Sequence, residues 1–310
     1  MIPWLGVMAG LIILLIAGDI LVRGAVNLAL RLGIPALIVS LTIVAFGTSA
    51  PELLIVIRAM QDQAPGLAVG NVVGSNTANI LLVLGVPALV SRLHTQHFDT
   101  RKSYALMIGA SIVFIALAFW GPFTLWHGVI LLGLLAAILI SQFVDGQRQP
   151  ETAPPEGADP AMRGWKIAAF LVLGLAGLPL GAALLVDNAV IIARDFGVSE
   201  TVIGLTLVAI GTSLPELATT VMAAIRRQAD VALGNVIGSN MFNLLAIIGI
   251  AALIGPIPVD PQFLRFDLWV MLGASVLLLP FVFWRQDITR RWGFVLALAY
   301  AGYLGFVLLG

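Results

Sequence analysis

Leu41-Thr42-Ile43-Val44-Ala45-Phe46-Gly47-Thr48-Ser49-Ala50-Pro51-Glu52-Leu53 returns 164 residues later as Leu205-Thr206-Leu207-Val208-Ala209-Ile210-Gly211-Thr212-Ser213-Leu214-Pro215-Glu216-Leu217. Each copy sets one carboxylate inside an apolar run. Extending outward at the same offset, Gly33 to Val90 lies on Gly197 to Ile254 without a gap, with 24 of 58 positions identical. This is an internal repeat, not coincidence. The chain around it is 60% hydrophobic and 10% charged, with a mean hydropathy of +1.06, so the bilayer is its solvent.

Since about 20 apolar residues cross the hydrocarbon core, the apolar runs predict ten spans. They fall at 3–30, 35–60, 67–90, 103–120, 123–143, 165–194, 199–225, 231–254, 266–284 and 291–309. The polar, proline-rich stretch between the fifth and sixth has the composition of a solvated linker. The expected fold is therefore an all-α integral membrane protein of ten transmembrane helices: one five-helix repeat over 1–143, a linker over 144–164 and a second five-helix repeat over 165–310. An odd number of spans per half inverts the second half in the membrane, the symmetry used by alternating-access transporters.

Charge gives the orientation, because Lys and Arg concentrate in cytoplasmic loops. Arg31, Arg92, Arg101, Lys102, Arg148, Arg163, Lys166, Arg226, Arg227, Arg285, Arg290 and Arg291 fall on one side; only Arg58, Arg194 and Arg265 fall on the other. Both termini are thus expected on the periplasmic or extracellular face of a bacterial or archaeal inner membrane, and the linker in the cytoplasm. The N-terminus lacks the positive region of a cleavable signal and runs straight into the first span. A formal net charge of zero with scattered cations excludes a nucleic-acid partner, and the absence of cysteine excludes disulfides and thiolate metal sites. With no HExxH and no nucleophile beside a His or Lys base in the spans, an intramembrane hydrolase is not expected either.

An ionisable group at mid-membrane costs several kcal/mol unless it meets a partner or an ion. No Lys or Arg lies mid-span except Arg23, so Glu52 and Glu216 are candidate ion ligands. Pro51 and Pro215 cannot donate to the carbonyls four residues back, and the helix is expected to bend there and free backbone oxygens. The next spans carry Gly70-Asn71-Val72-Val73-Gly74-Ser75-Asn76-Thr77-Ala78-Asn79 and Gly234-Asn235-Val236-Ile237-Gly238-Ser239-Asn240-Met241-Phe242-Asn243. Thr48 with Glu52, Ser75 with Asn79, Thr212 with Glu216 and Ser239 with Asn243 are each spaced i,i+4 and share a helix face. Four such faces offer hydroxyl, amide and carboxylate oxygens, the ligand set of hard cations rather than transition metals.

At these paired GTSxPE and GNxxGSNxxN motifs the sequence resembles the Ca²⁺/cation antiporter superfamily, in particular the bacterial sodium/calcium exchangers, over essentially the whole chain. The resemblance implies Ca²⁺ and Na⁺ as transported ions and no cofactor. It implies that Glu52 and Glu216 are the principal ligands, that Thr48, Ser49, Ser75, Thr212, Ser213 and Ser239 complete the cation sites with the carbonyls of Ala45 and Ala209, and that Asn79 and Asn243 line the centre. Spans one and six would slide across a fixed bundle. Several exchangers of the family carry an aspartate at one of the positions held here by Asn79 and Asn243, so this pocket has two carboxylates where those have three. Exchange of Ca²⁺ for Na⁺ is the leading expectation, by a monomer in the lipid bilayer. Exchange with H⁺ at the same two glutamates is the alternative, and K⁺ coupling stays open; a channel is disfavoured by the inverted repeat.

Other polar residues have structural readings. Asp19 and Arg23, four apart on the first span, are expected to form a local ion pair. Asn71, Asn76, Asn235 and Asn240 are expected to cap or staple helices, with ion contact as the alternative, and single Ser or Thr hydroxyls to bond the carbonyl four residues back or to make helix contacts. His94, His97 and His127 are expected at interfaces or in loops.

Overall fold

The computed structural model describes residues 2–96, 98–148, 158–198, 203, 207 and 209–309. His97, residues 149–157 of the linker and most of the start of the seventh expected span lie outside them. The described residues form helices joined by short turns, with two isolated β-bridges. In chain order these are α1 (Ile2–Leu32), α2 (Ala36–Thr48), α3 (Ala50–Gln61), α4 (Gly66–Val90), α5 (Arg101–Phe119), α6 (Leu125–Arg148), α7 (Gly164–Asp195), α8 (Ala209–Thr212), α9 (Leu214–Ile225), α10 (Ala229–Ile254), α11 (Phe263–Phe283) and α12 (Arg290–Leu309). Seven are long and apolar enough to cross a membrane by a strict hydropathy criterion, and α2 with α3, bent by 41°, makes an eighth. The protein is a multi-pass membrane protein.

The repeat offset of 164 reappears in the backbone. α1 and α7 both end on a glycine in the left-handed region, Gly33 at φ 65° and Gly197 at φ 77°, where a side chain would be strained. Ile34 N–H then bonds Ala29 O and Val198 N–H bonds Ala193 O, closing the same C-terminal turn. Gln63 and Arg227, again 164 apart, take φ 57° and 58°.

Packing follows the same offset. A Cβ on Gly10 would stand 2.8 Å from Gly181 O, and one on Gly174, 3.0 Å from Ala17 O, so small residues let α1 and α7 meet backbone to backbone. Gly293 approaches Gly85, and Gly128 approaches Gly249, in a matching pair of contacts that flank the bundle. The bridges Leu93 to Ile288 and Phe123 to Ile257 are related in the same way, Leu93 and Ile257 being 164 residues apart and Phe123 and Ile288 165. One end gathers cations: Arg92 pairs with Asp287 at 2.9 Å, Lys102 with Asp145, and Arg101 donates to Phe283 O at 3.1 Å. His94 joins this end through Asp287, at 2.9 Å, whereas His127 accepts from Thr124 N–H beside the opposite bridge.

One expectation fails. Asp19 pairs with Arg226 at the end of α9, not with Arg23. Its helix face turns toward α9, where Gly18 brings α1 within reach of Ala218 and Met222, while Arg23 turns to the Phe170 ring on α7. Sequence spacing made Arg23 a possible partner; helix rotation chose another.

Candidate functional site

The two polar motifs meet because α2–α3 and α8–α9 both break beside their proline. Ser49 (φ −84°, ψ 4°) and Ser213 (φ −88°, ψ 3°) leave helical geometry, and Pro51 and Pro215 open the following helix in its first turn, where a missing N–H costs nothing. Glu52 and Glu216 therefore sit in the first turns of α3 and α9, the electropositive ends of those helices. Both are fully buried.

α10 packs against α2 without a gap. A Cβ on Gly238 would fall 2.5 Å from Leu41 O, and one on Gly234, 2.9 Å from Leu37 O. That closeness carries Ser239 and Asn235 to the break in the other repeat. Ser239 Oγ lies 3.4 Å from Thr48 Oγ1 and 3.4 Å from Glu216 Oε1, and Ser49 Oγ donates to the same Glu216 oxygen at 3.0 Å. The first half thus donates to the acid of the second through Ser49, and Thr48 and Ser239 join the halves hydroxyl to hydroxyl.

α4 and α10 cross at the middle of the molecule. Asn76 Nδ2 donates to Asn240 O at 3.2 Å and Asn240 Nδ2 to Asn76 O at 3.4 Å, a reciprocal pair whose members are 164 residues apart. Asn79 Nδ2 donates to Asn240 Oδ1 at 3.1 Å. The stapling role expected of Asn76 and Asn240 is what these bonds perform.

Some buried oxygens have no hydrogen-bond partner among the described residues: Oε1 and Oε2 of Glu52, Oε2 of Glu216, Oδ1 of Asn76, Asn79 and Asn243, and Oγ of Ser213. Native structures pair nearly all buried polar groups, and an unpaired buried carboxylate is the costliest exception. Glu52 also lies within electrostatic reach of Glu216, and the ion pairs found among the described residues involve neither acid. Two carboxylates and several amide and hydroxyl oxygens in one sheltered place are the donor set of Na⁺ or Ca²⁺, which take oxygen ligands in flexible geometry. Ser75 and Thr212 are buried too, and Ala209 falls within α8. The carbonyl of Ala45 is already engaged, accepting Ser49 N–H at 3.0 Å and lying 3.2 Å from the Thr48 hydroxyl. Thr42, Thr77 and Thr219, by contrast, bond the carbonyl four residues back and serve their own helices. Asn235, for which helix capping or stapling stood beside ion contact, touches Thr48 and the Glu216 backbone.

A multi-pass helical protein with two acids buried among hydroxyl and amide side chains has the make-up of a membrane transporter of hard cations. Comparison with known proteins agrees. The family described as sodium/calcium exchanger protein matches residues 2–144 and again 166–309. The sodium/calcium exchanger MaX1 of Methanosarcina acetivorans is 32% identical, with 95% of both chains covered, and the inner membrane protein YrbG of Escherichia coli is 38% identical over 90% of this chain and 87% of its own. Among solved structures, the sodium-calcium exchanger NCX_Mj soaked with Na⁺ and Sr²⁺ superposes with a TM-score of 0.84 at 31% identity, covering 98% of each chain. The chain belongs to the sodium/calcium exchanger family.

Proposed function

We propose that this protein is a secondary antiporter that exchanges Ca²⁺ for Na⁺ by alternating access. The observation that carries the reading is the set of unpartnered carboxylate and amide oxygens on Glu52, Glu216, Asn79 and Asn243, buried where only an ion could offset their desolvation. Glu52 and Glu216 are the charge-bearing ligands. Thr48, Ser49, Ser75, Thr212, Ser213 and Ser239 complete the cation sites with the Ala45 and Ala209 carbonyls, and Asn79 and Asn243 line the centre. Two carboxylates balance one Ca²⁺ or two Na⁺, so the two loads are electrically equivalent at the site.

The reading includes ten spans in two inverted five-span repeats, over 1–143 and 165–310 with the linker 144–164 between them. Both termini face the periplasm or exterior of an inner membrane, and the protein works as a monomer. The paired glycine contacts and the reciprocal Asn76 and Asn240 bonds support the repeat. Support for alternation comes from a contact made on one side only. Gly18 packs on Ala218, whose Cα-side carbonyl would stand 3.0 Å from an added Cβ, but Leu54, the counterpart of Ala218, is 60% exposed. Exchanging the two halves' arrangements closes the second contact and opens the first, which is alternating access.

Exchange of Ca²⁺ for H⁺ is the second reading, favoured by two acids within electrostatic reach and no basic partner: a proton on one of them would also neutralise the site. Reconstituted vesicles decide between them. Ca²⁺ uptake is expected in vesicles preloaded with Na⁺ and not in those preloaded with K⁺. Uptake driven instead by a pH gradient would establish proton coupling, and uptake driven by no counter-ion would overturn antiport.

A further inference from the structure

The Thr48 hydroxyl has one hydrogen and, besides Ser239 Oγ at 3.4 Å, two nearer acceptors at the same distance, the Ala45 carbonyl and Asn235 Oδ1, each at 3.2 Å. Only one of them can take it fully. The Ala45 carbonyl also accepts Ser49 N–H at 3.0 Å, so a hydrogen from Thr48 occupies its second lone pair. Asn235, on α10, is fully buried. Its amide has one permitted orientation: Nδ2 lies 3.4 Å from Glu216 O and 3.2 Å from Thr220 Oγ1, and since a carbonyl only accepts, Oδ1 must face Thr48.

We infer that Asn235 is a positioning residue for cation binding, with Thr220 as its anchor. It takes the hydroxyl hydrogen of Thr48, which turns the Thr48 lone pairs toward the ion and releases the Ala45 carbonyl at the same moment. A hydroxyl that ligates a cation must point its hydrogen elsewhere, and in a buried site a hydrogen without an acceptor is costly. With Asn235 in place, loading asks Thr48 to rotate rather than to abandon a hydrogen bond. The inference rests on the cation-site reading proposed above.

The repeat isolates the anchor. Thr220 corresponds to Val56 and Asn235 to Asn71. Val56 has no oxygen to offer, and the amide nitrogen of Asn71 is buried without a partner. The anchored asparagine belongs to the second half alone, and it acts across the repeat boundary on a hydroxyl of the first. Val at position 220 is sterically tolerable, because the equivalent position already carries it.

The test is a Ca²⁺ titration of uptake into Na⁺-loaded vesicles for wild type, T48V, N235L, T220V and the doubles T48V/N235L and T48V/T220V. The expected result is a half-saturating Ca²⁺ concentration raised about tenfold in N235L and about threefold in T220V, with the maximal rate within about twofold of wild type. Neither change adds to T48V, because both act through its hydroxyl. Effects of N235L and T220V that multiply with that of T48V would overturn the inference, as would a T220V titration indistinguishable from wild type. If N235L does not insert, the T48V and T220V pair carries the same comparison. Wild-type vesicles without cation-driven uptake would instead remove the antiporter reading, and a T48V titration identical to wild type would remove Thr48 from the site.

Discussion

At the residue scale the two acids are chemically alike and differently dressed. Glu216 receives hydroxyl hydrogens from Ser49 and Ser239 on one oxygen, whereas neither oxygen of Glu52 has a hydrogen-bond partner. Removing the charge from Glu52 therefore removes an uncompensated burial cost along with the ligand. Glu52→Gln is expected to abolish uptake, to raise the thermal midpoint of the purified protein in cation-free buffer and to erase the further rise that Ca²⁺ gives the wild type. A thermal scan with and without Ca²⁺ reads both effects, and a Ca²⁺ shift retained in the variant would exclude Glu52 as a ligand. Asn243, whose side-chain oxygen and nitrogen are both buried without partners, is the position where a third acid fits. Asn243→Asp is expected to favour the divalent over the monovalent ion, lowering the half-saturating Ca²⁺ concentration about tenfold and that of competing Na⁺ by less. Competition titrations at fixed pH measure the ratio; an unchanged ratio would place Asn243 outside the ligand shell.

At the scale of elements, function depends on two kinds of helix contact. The α10 against α2 contact is tight and fixed. Gly238→Ala would drive a methyl to 2.5 Å from Leu41 O and 2.6 Å from Ala45 Cβ, forcing the helices apart and lifting Ser239 from Thr48 and Glu216. The expected cost is about 1–3 kcal/mol of stability, together with weaker Ca²⁺ binding, both measurable by calorimetry on the detergent-solubilised protein. The α1 against α9 contact is the one that the proposed alternation would break, and Asp19 with Arg226 pins it at one end. Their repeat counterparts are Ala183 and Asp62, which cannot pair, so the pin exists in one of the two arrangements only. The pair is partly exposed and is worth roughly 0.5–1 kcal/mol, so Asp19→Asn is expected to raise opening of this contact by about twofold to fivefold. Because the chain has no cysteine, Met222→Cys reports that opening directly as its rate of thiol modification. An equal rate with and without Asp19 would show that the pair does not bias the equilibrium.

For the whole molecule, the two halves are interlocked rather than tethered. α1 lies on α7, the Gly85 and Gly293 contact joins α4 to α12, and the Gly128 and Gly249 contact joins α6 to α10. The segment 149–157 has a linker's composition and no motif. Cutting the chain there and coexpressing the pieces is expected to give halves that copurify and transport; separation on a sizing column would show that the covalent link is needed.

Much of this was legible before any packing was considered. Unbroken apolarity demands helices because a backbone in lipid must satisfy itself, and a 164-residue offset that doubles an acid beside a proline marks the place where it does not. The breaks at Ser49 and Ser213, the burial of Glu52 and Glu216 and the stapling by Asn76 and Asn240 all follow from local rules. Partner choice does not. Asp19 meets Arg226 instead of Arg23, Ser49 reaches the glutamate of the other half, and Asn235 rather than its twin Asn71 finds an anchor, because rotation about helix axes and the neighbour at position 220 or 56 decide which oxygen faces which nitrogen. Periodicity along a chain sets the elements and their polar stripes, while the pairing of those stripes is a property of three-dimensional packing alone.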